Sequence, residues 1–210
     1  MGSELNRRDA VRALALIAGA LISLGASGQT TVGAAEKQLA ETPSLEEIRK
    51  ALKKKGKTRG LKKSDADATI DALVKKRKTR GLNQKEREEL YTLTANKPQV
   101  DLPIYFEYGS ANITPEAKTT LDLLGQVLSS EEHAREQFIV AGHTDAHGSA
   151  EYNRLLSEQR AAAVKAYLAT HHQIPSDIMT PMGYGAEELI NAADPFAAEN
   201  RRVQIVTHGQ

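Results

Sequence analysis

Residues 138–170 contain a strand, a loop and a helix in direct succession, and this stretch constrains the fold more than any other. Phe138-Ile139-Val140-Ala141 is a short apolar, β-branched run closed by Gly142, which predicts a buried strand that ends in a loop. Ser149 has the position of a helix N-cap. Apolar residues then recur with a helical period, at Tyr152, Leu155, Leu156, Ala163, Val164, Tyr167 and Leu168. The loop and the start of the helix are therefore expected to be neighbours.

A polar stripe follows one face of this helix. Asn153, Ser157 and Arg160 are spaced i, i+4, i+7, so they share the face that leads back to the loop carrying Thr144 and Asp145. If Asp145 and Arg160 are not bonded to each other, they are complementary to a zwitterion, because a carboxylate binds ammonium and a guanidinium binds carboxylate bidentately. The ligand class is then an amino acid or a peptide end. The alternative is an ordinary surface salt bridge, which contributes about 0 to 1 kcal/mol.

Four motifs in order carry a resemblance to a known family. They are Gly-His-Thr-Asp-x-x-Gly at 142–148, Tyr-Asn-x-x-Leu-Ser-x-x-Arg-Ala at 152–161, Gly-Tyr-Gly at 183–185 and Asn-Arg-Arg-Val at 200–203. With these motifs the sequence resembles the OmpA-like peptidoglycan-binding domain over roughly half of its length. The resemblance implies a two-layer sandwich with a mixed sheet.

The resemblance also implies a ligand and a set of site residues. The family's ligand is the peptide stem of peptidoglycan, held at its diaminopimelate, whose side chain carries both an ammonium and a carboxylate. Asp145 would bind the ammonium and Arg160 the carboxylate. The other implied site residues are Thr144 and Asn153 for neutral hydrogen bonds, Gly109 for its backbone, and Arg201 or Arg202 at the border of the pocket.

Two regions near the last motif leave questions open. Arg201 and Arg202 have a second interpretation, since arginines beside a last strand often cover an exposed sheet edge. Upstream, Phe196-Ala197-Ala198 stands where family members tend to have Gly-Arg-Ala, and Leu189 stands where proline is frequent. These departures put any ligand contact from the loop after Gly185 in doubt.

The predicted elements define the fold class as α+β. The order is βαβαβ(α)β, a mixed sheet with helices on one face, preceded by a signal peptide and a basic, partly disordered arm. Besides the central stretch, strands are expected at 104–108, 178–184 and 203–207, a helix from Thr114-Pro115, and a short helix over 186–193. The corresponding domains are 1–35, 36–98 and 99–210.

The arm at 36–98 is strongly basic. Residues 49–87 contain 16 Lys and Arg against 4 Asp and Glu, and residues 101–210 contain 7 against 15, so the total of +1 hides net charges of +12 and −8. We expect a solvated linker. The alternative is that Lys53-Arg59 and Lys75-Arg80 bind anionic lipid, glycan carboxylates or other envelope proteins, or that the arm folds back onto the acidic domain.

The arm contains an internal duplication. Residues 51–61 recur as residues 72–82, with 9 of 11 positions identical. The capping pair Ser44 and Glu47 predicts one short helix, and residues 67–74 are expected to start another. Because few residues of the arm are apolar, these helices are expected to form no core of their own, which leaves a flexible, partly helical segment.

Residues 1–35 have the pattern of a signal peptide. Arg7, Arg8 and Arg12 precede an apolar run over residues 13–24, and small residues follow. The Arg7-Arg8 pair resembles a twin-arginine signal, and an uncleaved anchor is the alternative. The expected location is the periplasm of a Gram-negative bacterium, associated with the cell wall and the outer membrane. The sequence has no cysteine, which removes thiolate chemistry, disulfides and the lipidated cysteine of many envelope proteins.

Enzymatic and nucleic-acid functions have little support in the sequence. His143, Asp145 and His147 suggest a metal site, and hence a metal-dependent peptidoglycan hydrolase, but this would withdraw Asp145 from ligand binding. No metal and no cofactor are expected. Residues 49–87 contain no aromatic side chain on which a base would stack. The prediction is a non-enzymatic binder of peptidoglycan, and the competing class is an envelope interaction protein that acts through its basic arm.

Overall fold

A four-stranded mixed sheet lies at the centre of the structure. The computed structural model describes residues 43–53, 65–107 and 109–209. The strand order is β1-β4-β2-β3, with β2 and β3 parallel and β4 antiparallel to both β1 and β2. The strands are β1 Gln99–Leu102, β2 Gln137–His143, β3 Met179–Gly185 and β4 Val203–His208. The predicted α+β class with a mixed sheet is confirmed.

Helices begin where the sequence offers caps. Thr114 accepts a hydrogen bond from the backbone N–H of Ala117 with Pro115 in the first turn, and Ser149 accepts one from the N–H of Tyr152. The helices of the described part of the chain are α1 Leu45–Leu52, α2 Asp65–Arg80, α3 Gln84–Thr94, α4 Pro115–Leu128 and α5 Ala150–His172. Single 3-10 turns lie at Glu131–His133, Ser176–Ile178 and Ala198–Asn200.

Helices α4 and α5 cover one face of the sheet, as predicted. Helix α5 packs so closely on β2 and β3 that glycine is required beneath it. A Cβ at Gly142 would lie 2.2 Å from the carbonyl oxygen of Ser157, and one at Gly183 would lie 2.5 Å from that of Arg154. Alternate strand residues, such as Phe138 and Val140, point into this core.

Helices α1, α2 and α3 of the arm also pack against the sheet. Ile48 and Leu52 of α1 are fully buried in the core beneath α4 and α5. On the opposite face, α2 and α3 form a second core with the other strand side chains: Ile70, Leu73, Val74 and Leu90 pack with Ile139, Ala141, Met182, Tyr184 and Val206. From residue 43 onward, the described residues form one body with helices on both faces of the sheet.

The prediction of a solvated linker is therefore wrong for the described residues of the arm. Its apolar residues are too few for a core of their own, but they complete cores that the sheet provides. Ion pairs join the two regions as well, including Arg77 to Glu158 and Arg87 to Glu187. These contacts show that the described part of the arm folds back onto the acidic domain, which was the alternative considered above.

The two copies of the duplication differ at the positions that matter for packing. In the first copy α1 ends at Leu52, and Lys53 is exposed and extended. In the second copy Val74 occupies the position equivalent to Lys53 and is buried, so the helix continues to Arg80. The second difference is Gly56 against Arg77, which forms the ion pair with Glu158.

Three sequence expectations differ from the structure or fall outside it. The first strand was expected at 104–108, but β1 is Gln99–Leu102. It ends before Pro103, because proline lacks the backbone N–H that would continue the hydrogen-bond ladder. Residues 186–193 form turns instead of a helix. The signal-peptide prediction for residues 1–35 lies outside the described residues.

Candidate functional site

A cavity opens beside the loop that joins β2 to α5. Its volume is about 600 Å³, and its wall includes most of the site residues named from the sequence, whereas Arg202 and Ser157 are not part of it. The lining consists of Ile104, Tyr105, Phe106, Gly109, Thr144, Asp145, His147, Tyr152, Asn153, Leu156, Arg160 and Arg201. The strand end, the first turns of α5 and the loop before α4 thus meet at one place.

Arg160 is a buried cation without a carboxylate partner among the described residues. The residue is 9% exposed. Its Nε donates a 3.0 Å hydrogen bond to the carbonyl oxygen of Ser110, and its guanidinium carbon lies 4.9 Å from the centre of the Phe106 ring. Burial is the main cause that lowers the pKa of Arg160. These contacts orient the guanidinium and leave both terminal nitrogens as donors for a ligand.

Asp145 is held in place by a different arginine. Its Oδ2 accepts a 2.7 Å hydrogen bond from Arg201 Nη1, and its Oδ1 accepts one from the backbone N–H of His147 at 3.1 Å. Burial raises the pKa of Asp145, but the hydrogen bonds from Arg201 and His147 outweigh it, so the pKa lies below its ordinary value. Asp145 and Arg160 form no salt bridge with each other. The surface-salt-bridge alternative is therefore wrong.

Thr144 and Asn153 occupy the floor of the cavity. Asn153 donates through Nδ2 to the backbone oxygens of Asp145, at 3.2 Å, and His147, at 2.8 Å, and so fixes the loop to α5. The Thr144 hydroxyl is buried and has no hydrogen-bond partner in the described part of the chain. A buried hydroxyl of this kind is costly unless a ligand or water bonds to it. Gly109 also lines the cavity, and its φ of +60° lies in the left-handed region that favours glycine.

Arg201 and Arg202 have separate roles. Arg201 faces the cavity and pairs with Asp145. Arg202 is buried and donates to Asp101 Oδ1 at 2.6 Å and to the carbonyl oxygen of Glu188. The edge-covering interpretation of this pair is wrong, because β4 lies inside the sheet between β1 and β2.

Comparison with known proteins finds a family match in the region of the chain that forms most of this cavity. The OmpA family model matches residues 105–202. These residues form an OmpA family domain. The chain is 35% identical over 103 residues to the peptidoglycan-associated lipoprotein of Pseudomonas aeruginosa, covering 48% of this chain and 59% of that protein. It is 37% identical over 105 residues to outer membrane protein A of Serratia marcescens, covering 49% of this chain and 29% of that protein.

Solved structures of similar proteins include the peptidoglycan-associated lipoprotein of Burkholderia pseudomallei. That structure has 25% sequence identity and a TM-score of 0.43, and the match covers 54% of this chain and 92% of that one. The curated relatives named above are longer than the matched region, and the chain spans about three fifths of the length of the first of them.

Several residues of the OmpA domain cavity were not predicted as site residues. Phe106 supplies the aromatic face beneath Arg160. Tyr152 was assigned to the apolar pattern of the helix and to a family motif but to no role in the site, yet it is 49% exposed at the cavity wall. Tyr152 lies in the first turn of α5. Conversely, Ser157 does not line the cavity, since its hydroxyl donates to Arg154 and accepts from the N–H of Gly185.

The histidines of the OmpA domain loop lie apart. His143 is buried and stacks on Tyr184 with ring centres 5.4 Å apart, against the second core. Burial is the main cause that lowers its pKa well below the ordinary value. His147 is exposed and lies 3.2 Å from Asp145 Oδ1. No cluster of three or more potential metal ligands occurs among the residues described.

Residues 186–200, the loop after β3 up to the residue before Arg201, support the site without lining it. Asn200 is fully buried, and its Nδ2 donates to three backbone oxygens of this loop, while its Oδ1 accepts from the N–H of Asn191. The loop in turn accepts a 3.0 Å hydrogen bond from the N–H of Ala146 through Pro195. None of its described residues is part of the cavity wall.

Proposed function

We propose that this protein binds peptidoglycan non-covalently through the diaminopimelate of its stem peptide and thereby links the cell wall to other envelope components. The observation that carries the proposal is the buried Arg160, whose guanidinium faces a cavity without a carboxylate partner from the described chain. A buried charge that lacks a partner is unfavourable, and an anionic ligand relieves it.

The charges of the cavity fit the end of a diaminopimelate side chain. Arg160 is free to bind its carboxylate bidentately, and Asp145 retains acceptor capacity for its ammonium. Arg201 already pairs with Asp145, so the charged groups of the cavity comprise two arginines and one carboxylate. Further carboxylates of the stem peptide would balance this excess of positive charge.

The uncharged lining fits the remainder of the ligand. Ile104, Phe106 and Leu156 provide apolar surface for the methylene chain between the two charged ends. The Thr144 hydroxyl offers a hydrogen bond that the described protein leaves unused. A site with few polar groups at fixed places and an apolar wall is typical of small-ligand recognition.

The relatives support the same assignment. Those named peptidoglycan-associated lipoproteins match about half of this chain, and the OmpA family model matches residues 105–202, which include most of the cavity wall. By analogy we propose that the domain faces the periplasm of a Gram-negative envelope, associated with the cell wall and outer membrane, and that it is not an enzyme. Among the helices described, none combines the length and apolar character required to cross a bilayer.

Retention on purified sacculi tests this function. Arg160→Ala removes a charge-assisted contact of about 1.5 to 3 kcal/mol, so affinity should fall roughly ten- to hundredfold, and Asp145→Ala should also weaken binding. Arg135→Ala is the matched control, since Arg135 is exposed and lies outside the cavity. Equal retention of all four proteins would reject the site.

The choice of sacculus identifies the group that Arg160 binds. In peptidoglycan with lysine in place of diaminopimelate, the ammonium is kept and the side-chain carboxylate is missing. Wild-type protein should bind this material about as weakly as the Arg160→Ala variant binds the diaminopimelate form. The Arg160→Ala variant itself should not distinguish the two materials. A wild-type preference of less than about twofold contradicts the carboxylate assignment.

Deletion of residues 36–98 does not separate a binding domain from a binding arm. It would remove Leu52 and Leu73 from the two cores, so loss of binding would follow from loss of the fold. Substitution of exposed charges is therefore the appropriate test of the arm.

A further inference from the structure

A second cleft, separate from the first, contains four arginines. It has a volume of about 440 Å³ and lies beside β3, which pairs only with β2 among the described strands. Helices α2 and α5 approach each other there from the two faces of the sheet. The lining consists of Arg77, Arg80, Gly81, Leu82, Arg87, Arg154, Glu158, Met182 and Gly183.

The only carboxylate on the described wall of this cleft is Glu158, and two arginines share it. Arg77 Nη2 donates to one oxygen at 2.6 Å, and Arg154 Nη1 lies 3.5 Å from the other. Arg80 is bonded at 2.8 Å to Glu86, which also pairs with Lys76. These four basic groups therefore share two carboxylates.

Arg87 is the one arginine of the cleft that has a carboxylate to itself among the described residues. It forms a bidentate pair with Glu187 and donates to the carbonyl oxygen of Leu82. Three guanidinium groups, those of Arg77, Arg80 and Arg154, therefore retain donors that the described residues do not use. The side chain of Arg80 is 53% exposed and that of Arg154 is 36% exposed, so both are accessible to a ligand.

We propose that this cleft is a binding site for a phosphoryl group. A phosphate presents several oxygens and one to two negative charges, and guanidinium groups from α2 and α5 can bond to different oxygens at the same time. Burial is the main cause that lowers the pKa of the neighbouring Lys165, and the charges of Lys78 and Arg77 also lower it, whereas Asp177 raises it. The carbonyl groups at the end of α2 oppose binding, but their partial charge is about half a unit.

The duplicated segment supplies part of the wall of this cleft. Arg77, Arg80, Gly81 and Leu82 all belong to the second copy of the repeated unit. The first copy has Gly56 in the place of Arg77 and therefore lacks one of the guanidinium groups. The phosphate site is thus a property of the second copy together with Arg154 of α5, and it is independent of the peptidoglycan cavity.

The competing explanation is purely structural. Charged side chains beside an outer strand prevent its pairing with other chains, and the Arg77 to Glu158 ion pair spans the edge of β3. That role needs neither Arg80 nor Arg154 to bind an anion. Variants at these two positions therefore separate the explanations while leaving the ion pair of Arg77 in place.

The test compares the full-length chain with double variants by calorimetric titration. Inorganic phosphate and glycerol 1-phosphate serve as soluble probes, and vesicles of phosphatidylglycerol, with phosphatidylcholine for reference, present a lipid phosphate. Arg80→Gln/Arg154→Gln should bind about tenfold more weakly or worse, because charge-assisted bonds are among the strongest hydrogen bonds. Lys118→Gln/Arg135→Gln removes the same charge from exposed positions outside the cleft and should bind as wild type does.

Further measurements distinguish the possible outcomes. Arg80→Lys/Arg154→Lys keeps the charge and should restore only part of the affinity, since lysine lacks the planar fork. Binding of soluble phosphate without vesicle binding indicates a small metabolite, and the reverse indicates a lipid headgroup. Equal loss in the Lys118/Arg135 variant would mean that net charge alone is sensed, which overturns the proposal, as does a wild-type chain that binds none of the probes. Sacculus binding should be unchanged in the Arg80/Arg154 variants.

Discussion

Leu52→Ala tests whether the basic arm is an integral part of the fold. Leu52 is fully buried in the core beneath α4 and α5. The substitution removes three carbons, worth about 0.8 kcal/mol each in transfer free energy, or about 2.4 kcal/mol in total. A cavity adds to this cost, and measured Leu→Ala losses are about 2 to 5 kcal/mol. Leu73→Ala, the equivalent change in the second copy, should have a similar cost in the second core.

Urea and thermal unfolding, followed by circular dichroism, measure these losses. For a chain of this size, a loss of 3 kcal/mol lowers the melting temperature by roughly 6 to 12 °C. Leu155→Ala is the matched control, because Leu155 lies on α5 and is 50% exposed. Its expected cost is about half the transfer term, near 1.2 kcal/mol, with no buried cavity. If Leu52→Ala costs no more than Leu155→Ala, the arm does not contribute to the core and the packing argument is refuted.

Three further predictions concern the OmpA domain. Gly142→Ala should destabilise the fold by about 1 to 3 kcal/mol or more in urea unfolding, because its Cβ would meet the backbone of Ser157, and a cost below 0.5 kcal/mol would contradict the close approach. The lowered pKa of Asp145 means that its pairing with Arg201 stabilises the fold above the ordinary pKa of 3.8 and that this contribution disappears as the pH falls through the lowered pKa. Acid titration of Asp145→Asn should show a correspondingly flatter loss of stability, and identical curves would exclude the pairing. Asn200→Ala should increase hydrogen exchange in the loop after β3, whereas unchanged protection would show that its three bonds do not hold that loop.

Much of the fold was predictable because its signals are local. Helix starts at Ser44, Thr114 and Ser149 follow from side chains that accept the first free N–H groups of a helix. The cap of α3 was missed, although Asn83 and Glu86 form the same box. The strand placed at 104–108 shows the limit of pattern recognition, since alternation continues past the point where a proline ends pairing.

Several residues that line the candidate site could be predicted from the sequence, but the ion pairs that they form could not. Helical spacing put Asn153 and Arg160 on the face towards Thr144 and Asp145, and all four line one cavity. The spacing did not reveal that Asp145 pairs with Arg201, 56 residues away. Long-range ion pairs depend on how strands are ordered in the sheet, and no local pattern encodes that order.

By itself, the sequence determined where α1, α4 and α5 begin, which faces of β2 are apolar and which charges the site would contain, because these depend on residues within a few positions of one another. Only the tertiary structure decided that the basic arm covers the second face of the sheet. A helix with few apolar residues is unstable alone and becomes stable when a neighbouring surface completes its core. The same contact gathers Arg80 and Arg154 into one cleft, which no stretch of the chain shows separately.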